Sequence, residues 1–104
     1  MSRADLFAWL GHRRPEPPAK LSARLERAVR DAPVEVTELA LPEALLAVGR
    51  ALVEEVAGRP HAGRAYALDL LAADAFITYA FEAQAELDLR GLRRLVEAAT
   101  EEKR

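Results

Sequence analysis

The sequence predicts an all-α fold, a bundle of about five helices in a single helical domain over residues 1–104, with a long central fourth helix. Apolar residues recur at helical spacing in one segment after another, and prolines and glycines punctuate the gaps between them. The third observation is residues 67–87, ALDLLAADAFITYAFEAQAEL. They carry apolar side chains round almost the whole helical circumference, as a helix surrounded by other helices does.

Composition narrows the classes. A chain of 104 residues suits one core. With 51% hydrophobic and 31% charged residues and a net charge of −2, it is neither a disordered polyelectrolyte nor a source of field for polyanions. It has no cysteine, which removes disulfides, thiolate metal sites and cysteine nucleophiles and suits a reducing compartment. The apolar run in MSRADLFAWLG is too short for a signal peptide, so the expected location is cytoplasmic. There is no Asn, one Gln, one Met, and no Lys besides Lys20 and Lys103. Depletion of thermolabile residues predicts a thermostable protein. Calorimetry is expected to find a Tm above the roughly 45–65 °C of mesophile domains.

The elements follow in order. Ser2 and Asp5 form a capping box for a first helix from Arg3 to Leu10. Gly11 is expected to close it in the left-handed conformation, and Pro15, Pro17 and Pro18 hold the next stretch extended. Pro18 starts a second helix with Leu21, Leu25, Ala28, Val29 and Ala32 on one face, Arg24, Arg27 and Arg30 on the other, and Pro33 as its end. Residues 34–41 alternate like a strand for four residues. A lone strand has no partner in a helical chain, so an extended connection is expected.

Pro42 and Glu43 open a third helix with an apolar stripe of Leu45, Val48, Gly49, Leu52, Val53 and Val56, stopped by Gly58 and Pro60. The fourth helix runs from Ala62 to Leu87. A fifth runs from Leu89 to Glu102, with Asp88 as its cap and Leu92, Leu95, Val96 and Ala99 facing inward.

The two aspartates of the fourth helix, Asp69 and Asp74, argue against lipid around it, so no membrane is expected. Its alanines admit close neighbours, and Gly49 offers a matching flat spot. At 1.5 Å per residue it spans about 39 Å, against about 34 Å for a compact domain of this size. The shorter helices must stack end to end along it, or a second copy must cover what they leave bare, and the expectation is a homodimer through one flank.

Asp74, Thr78 and Glu82 fall one turn apart on one side of this helix, with Tyr66 two turns before them. They are the candidate core polar site. One reading is hydrogen-bonded stitching; the other is a buried Asp74 that binds a cation or moves a proton. No metal ligand is assigned, since neither His12 nor His61 has the Glu-x-x-His spacing of a carboxylate bundle, and both are expected in solvated loops. Nucleophile, phosphate-binding and dinucleotide motifs are lacking, so no catalytic residue and no cofactor is assigned. Arg13, Arg14, Arg90, Arg93 and Arg94 are answered by Glu97, Glu101 and Glu102, and no nucleic acid is expected. The expected function is a non-catalytic module for self-association or for a protein partner. The alternative is a ligand-binding bundle or weak enzyme using Asp74 in the core.

Overall fold

The computed structural model describes residues 1–59 and 63–102. The expectations for Pro60, His61 and the start at Ala62 lie outside them. The chain is an all-α bundle of helices α1 (Arg3–Gly11), α2 (Ala19–Asp31), α3 (Leu41–Ala57) and α4 (Gly63–Glu102), with a 3-10 turn over Val34–Glu38 and no strand among the described residues.

The capping box forms as the sequence predicts. The Asp5 N–H donates to Ser2 Oγ at 3.1 Å, and the Ser2 N–H donates back to Asp5 Oδ2 at 3.0 Å. The far end of α1 differs. Gly11 stays helical, and the His12 N–H closes the helix on Trp9 O at 3.1 Å. The left-handed region is used instead by Gly63, with φ 84° at the entry to α4, where an L side chain would be strained.

Residues 34–38 are a turn, not the extended connection expected. Pro33 O accepts the Val36 N–H at 3.0 Å, and the Thr37 hydroxyl donates to Val34 O at 2.6 Å. The strand-like alternation reflects one buried side chain, Val36, beside a solvent-facing Val34. An anchor not foreseen ties α1 across the end of α2. Arg3 donates to Val29 O at 3.2 Å and to Ala32 O, placing a cation where the helix dipole is negative.

The expected fourth and fifth helices are one helix of 40 residues. Asp88 does not cap. Its Oδ1 accepts from Gln84 Nε2 at 3.0 Å, one turn back along the same helix. Gly91 costs only about 1 kcal/mol relative to alanine, too little to break a rod without proline.

Gly49 is the flat spot expected of it. A Cβ there would lie 3.1 Å from Phe76 Cβ and 3.2 Å from Ile77 Cγ1, so α3 and α4 approach closely at this point. Around it the core gathers Leu45, Val48 and Leu52 of α3 with Ala72, Ala73, Phe76 and Ala80 of α4, and Leu6, Leu25 and Val29 close the far side.

The helices α1 to α3 have 9, 13 and 17 residues, or about 14, 20 and 26 Å. They cover one side of α4 over its first 24 residues, and every side chain described from Leu87 onward is exposed. The molecule measures 63 × 29 × 21 Å, with a radius of gyration of 16.7 Å, against about 13 Å for a compact chain of this length. The enclosure expected of the long helix is therefore not met within one chain. Leu70, Leu71 and Phe81 lie bare on its outer flank. Leu92, Leu95, Val96 and Ala99 face solvent, not a core, because no element among the described residues reaches them.

Candidate functional site

Three groupings on α4 are candidates for function. The first is buried. Asp69, 3% exposed, accepts from Arg24 Nε on α2 and from an Arg59 guanidinium nitrogen just beyond α3. Arg24 is itself buried, contrary to the outward face expected for it, and Glu55 stands 4.0 Å from its other end. Burial pushes the Asp69 carboxyl up, but hydrogen bonds from Arg24 and Arg59 and their charges outweigh it and hold the group below its ordinary value. No buried side-chain polar atom among the described residues lacks a partner. Each oxygen of this carboxylate is held by a guanidinium, which suits it to joining α2 to α4.

The second grouping joins α1 to α4. Arg13 lies over the Trp9 ring, 3.5 Å from its centroid, and its Nη1 is 2.9 Å from Glu86 Oε1 and 3.5 Å from Glu82 Oε2. The Trp9 indole N–H donates to Glu86 Oε2 at 3.3 Å, and the Trp9 ring meets Tyr79 edge-on at 5.7 Å. The Arg13 hydrogen bond lowers the Glu86 carboxyl against the opposing effect of burial. Arg13, the Trp9 indole, Glu82 and Glu86 all pair within the chain, which makes the cluster a strut.

The candidate core polar site falls elsewhere than the core. Asp74 and Thr78 are exposed on the outer flank of α4, Glu82 is exposed beside Arg13, and Tyr66 is half-buried about 12 Å earlier along the axis. The buried carboxylate is Asp69, about 140° round the helix from Asp74. Among the described residues, no group of three or more His, Asp or Glu side chains gathers as metal ligands.

The third grouping is apolar. Leu71, Thr78, Phe81, Ala85, Leu89, Leu92, Val96 and Ala99 follow one another at steps of three, four or seven, with Leu95 beside them. They form one ridge on the side of α4 opposite Asp69, Phe76 and Ala80. Phe81 is 71% exposed and Leu95 68%. On the back of the C-terminal half lie Arg90, Arg93, Arg94, Glu97 and Glu101, so this half is amphipathic although nothing among the described residues covers its apolar face. A shallow apolar notch of about 180 Å³ between Pro42, Leu46, Ala80 and Phe81 adjoins the ridge. No helix among the described residues is long and apolar enough to cross a membrane.

Compared with protein-family models, with curated proteins and with solved structures, the chain finds no match.

The ridge was legible as spacing but not as a surface. Leu89, Leu92, Val96 and Ala99 repeat at steps of three and four, which marks a buried face of some kind. The missing signal was continuity. The same steps carry back through Ala85 to Phe81 and Thr78, which a break at Asp88 conceals.

Proposed function

We propose that this chain is a non-catalytic, cytoplasmic protein-interaction module that holds out α4 as a docking helix. The observation that carries the reading is the apolar ridge, set at coiled-coil spacing on the side away from the bundle and uncovered by its own chain. Arginines and glutamates on the opposite side keep the projecting half soluble without covering it. The enzymatic alternative has less support, because Asp74 lies on an open flank and Asp69 is buried and paired with Arg24 and Arg59.

The test is the double substitution Leu92→Glu with Leu95→Glu. Both positions are exposed and glutamate is a good helix former, so the folding free energy of the bundle is expected to change by less than about 0.5 kcal/mol. In extracts of cells making the protein at native level, the wild-type chain is expected to elute in a complex larger than 11.4 kDa, and the double variant as a single chain. Identical elution of the two would remove the docking role.

A further inference from the structure

We propose that the occupant of the ridge is a second copy of this chain, lying antiparallel along α4 with the dyad at the axial level of residue 83. The inference rests on the docking role of α4 and names its partner.

Area is the first support. Leu71, Phe81, Leu89, Leu92, Leu95 and Val96 are 56% to 71% exposed. Six large apolar side chains, each more than half exposed, make a patch of several hundred Å² per chain, the scale of the ~800 Å² per partner of a standard interface. The whole-molecule surface agrees. The chain exposes 7225 Å², where a compact monomer of 11.4 kDa exposes about 5,800 Å².

Length is the second. The bundle backs α4 from Gly63 to Glu86, and the remainder projects. Two such helices laid antiparallel about their midpoints place each projection on the outer flank of the other copy's backed half. Both bare stretches are covered by one symmetric contact.

Register is the third, and it selects both direction and alignment. With the dyad at the level of residue 83, Leu71 meets Leu95, Phe81 meets the small Ala85, Ala67 meets Ala99, and Thr78 meets Asp88, a hydroxyl donor against a carboxylate. Asp74 lies level with Leu92 of the second copy. Sliding by one heptad sets Asp88 against Leu71 in one direction and against Ala85 in the other. Parallel pairing stacks Asp74 on Asp74 and Asp88 on Asp88, which like-charge repulsion opposes. Of these alignments, the antiparallel register at the level of residue 83 alone sets the large Phe81 over the small Ala85 and the Thr78 hydroxyl against Asp88.

The chain has no cysteine, so single-cysteine variants report without background. Thr78→Cys and Asp88→Cys both fall on exposed positions. Purified full-length T78C and D88C chains are mixed under mild oxidation. The expected product is the mixed T78C–D88C disulfide, in roughly tenfold excess over either homodisulfide, because in this register two copies of residue 78 lie about 15 Å apart along the axis. Purified wild type is expected to sediment at twice the single-chain mass, and Leu92→Glu with Leu95→Glu at the single-chain mass. Homodisulfides in excess, or a wild type that sediments as one chain at every concentration, would overturn the proposal. If the purified chain is monomeric but its complex in extracts is still lost in the double variant, the docking role stands and the self-partner falls.

Discussion

Asp69→Ala is expected to lower the unfolding free energy by about 3–5 kcal/mol, the usual cost of removing one member of a buried ion pair. The loss comes less from the missing attraction than from what is left behind. Arg24 is 5% exposed, and with Asp69 gone its nearest carboxylate is Glu55 at 4.0 Å on the bundle rim. A buried guanidinium without an acceptor bears the full desolvation penalty. The companion substitution separates this account from simple packing loss. Replacing the pair together, Arg24→Met with Asp69→Leu, is expected to recover most of the stability, since apolar residues of similar volume substitute for buried ion pairs at little or no cost. Asp74→Asn, on the exposed flank, is expected to stay within about 0.5 kcal/mol of wild type. Urea unfolding at constant m-value measures all three. Equal midpoints for Asp69→Ala and Asp74→Asn would mean that Asp69 is not the buried anchor.

The same carboxylate shapes the acid limb of stability. Its folded-state value is depressed, so the folded chain binds fewer protons than the unfolded chain at mildly acid pH. Its contribution is therefore complete above the unfolded value of about 3.9 and is lost as pH falls through the lower folded value. Glu86, also depressed, acts with the same sign. The stability gap between wild type and Asp69→Asn is expected to hold steady at neutral pH and to close below about pH 4.

Choosing Asp69 over Asp74 from the sequence fails for a definite reason. The helix carries leucine, alanine, phenylalanine or isoleucine on every side, so periodicity does not say which face meets the bundle. Only the packing of α3, through Gly49 against Phe76 and Ile77, fixes that phase. Arg24 is obscured by the same ambiguity, since arginine on a helix beside Arg27 and Arg30 reads as solvent-facing until an aspartate on another element is known to face it. What was legible came from residues with one physical meaning. Pro33 ends α2, Pro42 opens α3, and Ser2 with Asp5 caps α1 wherever these occur. Asp88 has two meanings, as a cap or as a partner of Gln84, and local sequence does not decide between them.

Phe76→Ala is the second large loss expected, about 3–5 kcal/mol. Phe76 is fully buried and is the largest such side chain in the molecule. It lies where α3 comes nearest α4, beside a glycine with no side chain to lean into the space vacated. A close-packed interior relaxes only in part around such a cavity, which adds to the lost transfer free energy. Phe81, five residues on, is the internal contrast, because it points about 140° away and is 71% exposed. Phe81→Ala is expected to leave the folding of the single chain within about 0.5 kcal/mol and to weaken association of two chains, where Phe81 fills the space over Ala85. Sedimentation at several concentrations, run beside urea unfolding, reads the two effects separately. One phenylalanine then holds the bundle together and the other joins bundles, and the helical phase of α4 accounts for the difference. Loss of fold in both variants would show that the outer face of α4 belongs to the core.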